Sequence, residues 1–381
     1  MDTLGVGIIG FGFIGKVHAL GYSNIPLLYD PLPVRTRLVG VATSRLETAR
    51  KAAGQGGFEF GTDDWRALIA RDDIHIINIC SPNSRHPEQL LAAMEAGKHI
   101  YCDKPLVVGE DAMRQIATAL PTYHGIGQMT FQYRCYPPTL RAKYLLDEGF
   151  LGNIISFRAA YLHAGNVDPS KRMGWRYLKA EGGGVLQDLG SHLIDLMDHL
   201  LGPFDSVLAE KRILYLQRPD AHGEMAPAEV DDQVVMLAKL RNGAIGTMEV
   251  SKIASGAEDD LRFEIHGDRG AIRFNLLEMD YLQVYDLREP ASPLGGQRGW
   301  RKIPALPRNE KLSDFPDAKI GAGWLRGHLH CLYTFLQAVA NGHQGEPSLR
   351  RGLQVQRMLA IAEASNRDKC WKSMAEAYAL R

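Results

Sequence analysis

The chain has no excess charge of either sign, no long apolar run, no clustered cysteine and no low-complexity tract or internal repeat. Lys plus Arg and Asp plus Glu each number 44, a formal net charge of +0. That balance offers no electrostatic footing for nucleic acid or an anionic membrane surface. No run of about eighteen consecutive apolar residues occurs, which excludes a hydrophobic membrane-spanning helix. The apolar N-terminus lacks a basic leader region and is punctuated by Gly10, Gly12 and Gly15, so a strand and turn are expected there rather than a signal peptide. Cys80, Cys102, Cys135, Cys331 and Cys370 lie apart, with no Cys-x-x-Cys pair and no metal spacing among them. Buried thiols in a reducing compartment, the cytoplasm, are expected, and no zinc site. Small-molecule chemistry is what these absences leave.

What is present is an ordinary globular composition, 45% hydrophobic and 23% charged, over 381 residues. That length exceeds one ordinary core, so two domains are expected, divided at 1–128 and 129–381. In the first, apolar runs at 6–9, 38–42, 74–80, 99–102 and 125–129 alternate with helical stretches at 85–96 and 110–120. This βαβα order predicts a doubly wound parallel sheet. The span 24–37, with Pro26, Pro31 and Pro33, reads as a long loop. Beyond Pro137 and Pro138 a helix near 139–148 gives way to strand-like runs at 154–161, 234–240, 244–253, 262–266, 271–274 and 282–286. Hairpin signals at Asn242-Gly243 and 267–270 predict an open, mostly antiparallel sheet, with helices at 186–201, 325–340 and 352–365. The fold class is α/β in both halves, and 288–323 reads as a surface loop.

Gly10-Phe11-Gly12-Phe13-Ile14-Gly15 follows the first strand and opens a helix. The first glycine suits a tight turn, the second lets backbone approach a pyrophosphate, and the third lets helix pack on strand. The strand at 38–42 runs into Thr43, Ser44 and Arg45 with no acid to accept from an adenosine ribose, while Asp30 lies in the proline-rich span. Two hydroxyls and an arginine suit a 2′-phosphate, which favours NADP over NAD. Alternatively Thr43 and Ser44 only start the next helix. Ser81-Pro82-Asn83 and Cys102-Asp103-Lys104-Pro105 end the next two strands, where open α/β sheets bind ligands. A lysine at a strand end, restricted by the following proline, is aimed into that crevice, where it can stabilise charge on a substrate oxygen; the alternative is an ordinary surface lysine.

In the second half, EGGGVLQDLGSHLIDLMDHLLG at 181–202 sorts on a helical wheel into two stripes. Asp188, His192, Asp195 and His199 share one sector at about 100° per residue, with leucines opposite. A His one turn from an Asp is a usual way to orient a proton-transfer group. A solvated polar face looks the same. No further His or Cys cluster makes the stripe a metal site.

With His18 after the glycines, His86 after SPN, the DKP tripeptide and GGGVLQDLGSHLID, the sequence resembles the glucose–fructose oxidoreductase, inositol dehydrogenase and MocA family over nearly its whole length, 323–336 included. The resemblance implies an N-terminal Rossmann domain, a C-terminal α/β domain on an open sheet used for homodimers or homotetramers, and NAD(P)-dependent chemistry on a sugar, sugar derivative or cyclitol. DKP matches the family's EKP, which makes Lys104 the catalytic lysine and Asp103 a conservative departure. Asp188 and His192 match the family's D-x-x-x-H pair, the His as acid/base and the Asp beside it, while Asp195 fits as a structural group. His199 has no counterpart and is left as surface. By the same resemblance Trp175, Arg176, Tyr133 and His163 are substrate contacts, and Ser81, Pro82, Asn83, His86, Asp103, Lys104 and Gln132 join the glycine turn around the cofactor. A related glycoside-cleaving enzyme that oxidises its sugar transiently is the alternative activity, and a non-catalytic nucleotide sensor a third.

Overall fold

In the computed structural model, residues 3–306, 314 and 323–379 are described. They fall into two compact units, Met1–Gln132 with Leu325–Gln356, and Tyr133–Trp324 with Arg357–Arg381. None of the helices among the described residues is long and apolar enough to cross a membrane.

The first unit carries β1 (Thr3–Ile9), α1 (Phe13–Leu28), β2 (Arg35–Ala42), α2 (Leu46–Gly56), β3 (Phe60–Thr62), α3 (Trp65–Ile69), β4 (Ile76–Ile79), α4 (His86–Glu95), β5 (His99–Cys102), α5 (Glu110–Ala119) and β6 (Gly127–Met129). Its six strands form one parallel sheet in the order β3-β2-β1-β4-β5-β6. All four residues of β4 are buried, as a strand covered by helices on both faces requires. The 24–37 loop is corrected: α1 continues through Pro26 to Leu28 and β2 begins at Arg35. Val17, Ala19, Tyr22 and Ile25 bury that helix, so tertiary packing outweighs the local proline signal.

The division expected at 128/129 also differs from the observed units, because the later helix α8 (Trp324–Asn341) largely groups with the first. Leu332 comes so close to Gly21 that a Cβ there would lie 2.8 Å away, and the Tyr333 ring stacks on Tyr29 at 4.0 Å. The chain after α8 then covers the edge of β6. Met129 N donates to Pro347 O at 2.7 Å, and the Gln344 amide bonds Gly125 O and Gly127 N at 2.7 and 3.1 Å, which blocks an exposed strand edge. Partners more than two hundred residues apart leave no trace in local spacing.

The second unit contains α6 (Pro137–Asp147), β7 (Ile154–Leu162), α7 (Ser191–Leu201), β8 (Phe204–Arg212), β9 (Gln217–Pro219), β10 (Met225–Pro227), β11 (Gln233–Leu240), β12 (Ile245–Ser251), β13 (Asp260–Gly267), β14 (Gly270–Asn275), β15 (Tyr281–Asp286), β16 (Arg301–Pro304) and β17 (Lys372–Ser373). Nine of these strands make one sheet, β16-β15-β14-β13-β7-β12-β11-β8-β17, antiparallel throughout except between β7 and β12. Both hairpin signals fall where expected, at β11–β12 and β13–β14. The 288–323 loop is corrected in part, since Arg301–Pro304 pairs with β15; 307–313 and 315–322 lie outside the described residues. On α7, Leu193, Ile194, Leu196, Met197 and Leu200 are buried, each contributing about 1.5–3 kcal/mol of apolar burial.

Candidate active site

In the first unit the chain leaves β1 through Gly10 at φ +92°, where a Cβ would meet Cys80 O at 2.5 Å; at Gly15 a Cβ would meet Gly10 O at 2.2 Å. Both positions therefore require glycine. Gly12 differs: nothing lies within 4 Å of a Cβ built there, it caps α1 without a side chain, and the first turn of that helix carries no acid. An open backbone at an acid-free helix N-terminus fits a dinucleotide's pyrophosphate. Phe13 is exposed beside it and Ile14 half-buried.

Around that turn the strand ends supply the other predicted residues. Thr43 Oγ1 bonds Thr48 Oγ1 at 2.6 Å and Arg45 O at 3.0 Å, while Ser44 and Arg45 are exposed. The N-cap of α2 is Arg45, so neither Thr43 nor Ser44 caps that helix. Ser81 Oγ donates to Gln89 at 2.7 Å, Pro82 is exposed, and Asn83 is buried in a 3-10 turn. His86 is buried, its two ring nitrogens each 3.0 Å from the carbonyls of Pro105 and Ser81, and burial lowers its pKa. It thereby ties the loop after β4 to the segment that carries Asp103 and Lys104, both half-buried at the carboxyl end of β5. Gln132 is buried past β6, and no donor among the described residues reaches its Oε1, an acceptor of the kind a carboxamide satisfies.

In the second unit the predicted helix over 186–201 is not uniform. Leu186–Gly190 is a π-helical turn, and α7 begins only at Ser191. The wider turn is anchored by Asp231, whose carbonyl accepts from Val185 N at 3.0 Å and whose carboxylate accepts from Leu186 N at 2.8 Å. Such turns recur at functional sites because they re-aim side chains. Asp188 rides on it and His192 on the first turn of α7. The His192 ring meets Tyr133 edge-on at 4.9 Å and Tyr161 at 6.2 Å. Tyr133 and Tyr161 share a hydroxyl bond of 2.5 Å, Tyr161 donates to Asp259 at 2.8 Å, and His163 Nε2 lies 3.3 Å from the same carboxylate. Burial, with the Asp259 charge, raises both phenol pKa values, so they remain hydroxyl donors. Trp175 stacks under the Arg176 guanidinium at 4.3 Å, and Arg176 Nε is 3.9 Å from Asp188.

The four-residue stripe therefore divides. Asp195 is buried and takes a bidentate bond from Arg134, Nε at 2.6 Å and Nη2 at 2.5 Å. His199 is not left on the surface: half-buried, it accepts at Nδ1 from Arg134 Nη1 at 3.3 Å, because an arginine only donates. Nor is the polar sector a solvated face, since His192 and Asp195 are both buried. Sequence reasoning missed Arg134, Tyr161, Asp259 and Lys252, whose Nζ donates to Asp188 Oδ2 at 2.5 Å. Each is a solitary residue in a strand, turn or loop, and no spacing rule marks it.

A parallel sheet with its glycine turn at the first βα junction, joined in one chain to a unit that holds a histidine, carboxylates and phenols together, defines an oxidoreductase that works with a nicotinamide dinucleotide. A model of the oxidoreductase family with an NAD-binding Rossmann fold matches residues 4–130, and the GFO/IDH/MocA C-terminal domain matches residues 139–273. The chain belongs to the GFO/IDH/MocA family. A levoglucosan dehydrogenase from Pseudarthrobacter phenanthrenivorans is 36% identical over 372 residues, covering 93% of this chain and 94% of that protein. An inositol 2-dehydrogenase from Rhizobium meliloti is 28% identical over 368 residues, 96% of each. A levoglucosan dehydrogenase structure in complex with NADH and levoglucosan matches at a TM-score of 0.92 and 33% identity, covering 98% of this chain and 99% of that one.

Proposed function

We propose that the enzyme oxidises a secondary hydroxyl of a sugar, sugar derivative or cyclitol, with His192 as the proton acceptor, Asp188 and Lys104 as its partners at the reacting group, and Tyr133, His163, Trp175 and Arg176 as the side chains that recognise the sugar. The observation that carries this reading is the π turn and α7 N-terminus, which present Asp188 and a buried His192 beside two neutral phenols. Levoglucosan and inositol dehydrogenases among the relatives support the substrate class. When bound, the dinucleotide would supply a hydride acceptor through its nicotinamide; the glycine turn would hold its pyrophosphate, with Ser81, Pro82, Asn83, His86, Asp103 and Gln132 around the rest of it. His192 takes the hydroxyl proton, Asp188 orients the ring hydroxyl, and the Lys104 ammonium stabilises charge growing on the oxygen.

The cofactor choice is NADP at least as readily as NAD, because β2 is followed by Thr43, Ser44 and Arg45 without an acid to repel a 2′-phosphate, and Ser44 and Arg45 are exposed. The levoglucosan dehydrogenase complexes hold NADH, which makes the direct comparison informative. Arg45→Ala should weaken NADP while sparing NAD; equal loss for both, or a strong NAD preference in the parent, defeats the choice. A homodimer or homotetramer is supported by Val235, Leu237 and Ile245, exposed on one face of the second unit's sheet. A cytoplasmic location is supported by five cysteines that are all thiols.

The deciding experiment incubates the protein with levoglucosan, glucose, methyl glucosides and inositols, with NAD or NADP, and follows nicotinamide absorbance. Reduction with one of these sugars is expected. Aglycone release without net reduction would replace this reading with the glycoside-cleaving one, and binding of dinucleotide with neither reaction would replace it with the sensor.

A further inference from the structure

Asp188 carries a cation that no motif announces. Lys252 follows the last residue of β12, and its side chain is only 17% exposed where its Nζ meets Asp188 at 2.5 Å. Arg176, the other cation at that carboxylate, is 53% exposed and stands 3.9 Å away. The nearer, less hydrated contact dominates, because water screens the outer one more strongly.

Lysine ordinarily loses much rotamer freedom in holding one geometry. Here the main chain has already been fixed for it. Lys252 N donates to Asp232 O and Lys252 O accepts from Asn166 N, each at 2.8 Å. Asp232 is itself buried, its carboxylate taking Asn166 Nδ2 at 2.8 Å and Leu214 N at 2.9 Å, with Arg218 at 3.9 Å. The preceding residue, Asp231, anchors the π turn that bears Asp188. One dipeptide, Asp231-Asp232, therefore fixes the backbone on both sides of the Lys252–Asp188 pair. An ion pair held from both ends in this way sets direction as well as attraction.

We propose that Lys252 is the positioning residue of the Asp188–His192 pair: it holds the Asp188 carboxylate in one orientation and so sets the acceptor that Asp188 presents to a sugar hydroxyl. The inference rests on the catalytic reading above. Lys252 acts through Asp188 and not on the substrate or the dinucleotide directly.

The test is steady-state kinetics of the full-length enzyme with the sugar that turns over fastest in the panel above. It compares the parent, Lys252→Met, Lys252→Arg, Asp188→Asn and the Lys252→Met/Asp188→Asn double variant. Lys252→Met should lower kcat/KM for the sugar between about 10- and 100-fold, the scale of a misaligned reacting group, with KM for the dinucleotide and the melting temperature unmoved. Lys252→Arg should recover most of that loss. In the Asp188→Asn background, Lys252→Met should bring no further loss, since a residue that acts only through another has nothing left to act on. Losses that multiply in the double variant, or a Lys252→Met enzyme with parental kinetics, overturn the inference. If Lys252→Met does not fold, Lys252→Gln carries the same comparison. A parent that reduces no dinucleotide with any sugar defeats the catalytic reading instead, so the two failures are told apart.

Discussion

At the scale of single residues, function turns on what surrounds each ionisable group. His192 has aromatic edges against its ring and Asp188 four residues earlier, so removing the imidazole takes away the proposed proton acceptor without opening a large hole. His192→Ala is expected to lower kcat by about 10²–10⁴-fold, the usual worth of one general base, while dinucleotide affinity measured by fluorescence stays near the parent's. Turnover close to parental with only a lower melting temperature would make the histidine structural. Lys104→Met keeps most of the apolar stem and removes the cation, so hydride transfer should slow by about 10²–10³-fold with folding intact. A mutant that has lost dinucleotide binding in titration would move Lys104 from catalysis to cofactor anchoring. Both candidates could be picked from the sequence because each sits in a motif at a place where its proposed chemistry has a reason. Lys252, Tyr161 and Asp259 were not, because a lone lysine, tyrosine or aspartate in a strand or loop resembles every other until the chain brings it to its partner.

At the scale of elements, the segment 186–201 shows how far periodicity reaches. The alternation of polar and apolar residues located the helix, yet the wheel assumed one uniform turn and missed the π turn at Leu186–Gly190, which depends on Asp231 some forty residues later. The same wheel treated Asp195 and His199 as continuations of a chemical stripe. Instead Arg134, from the 3-10 turn after β6, claims both. This pair is largely dry, with Asp195 1% and Arg134 12% exposed, so breaking it strands a buried guanidinium. Asp195→Ala is expected to destabilise the protein by about 3–5 kcal/mol, measured as a lower midpoint in urea with an unchanged slope. A shift below about 1 kcal/mol would mean that water reaches Arg134 and that the ion pair matters little.

At the scale of the whole molecule, buried histidines tie stability to pH. His18 accepts from Asn78 at 3.0 Å beneath the glycine turn, and burial lowers its pKa from 6.5 to about 3. His86 and His328 are lowered by the same cause, with the His18 and Lys104 charges adding to the effect at His328. The unfolded chain therefore binds protons below about pH 6.5 that the folded chain refuses, so stability is complete above that pH and is lost as the pH falls toward 3. For His18 alone the loss by pH 5 is about 2 kcal/mol. The melting temperature should fall between about pH 7.5 and pH 5, less steeply in His18→Gln, and a flat profile would show that these rings take up protons without unfolding. The parallel-sheet half, the glycine turn and the antiparallel half are legible in local sequence, since periodicity and motif spacing act over a few residues, and the same local motifs single out Lys104, Asp188 and His192 as the candidates that the kinetic variants test. That α8 returns to the first unit, that a π turn carries Asp188, and that Arg134 and Lys252 hold the carboxylates is set by the tertiary fold, because those contacts join residues some forty-five to three hundred positions apart and exist only once burial has drawn them together.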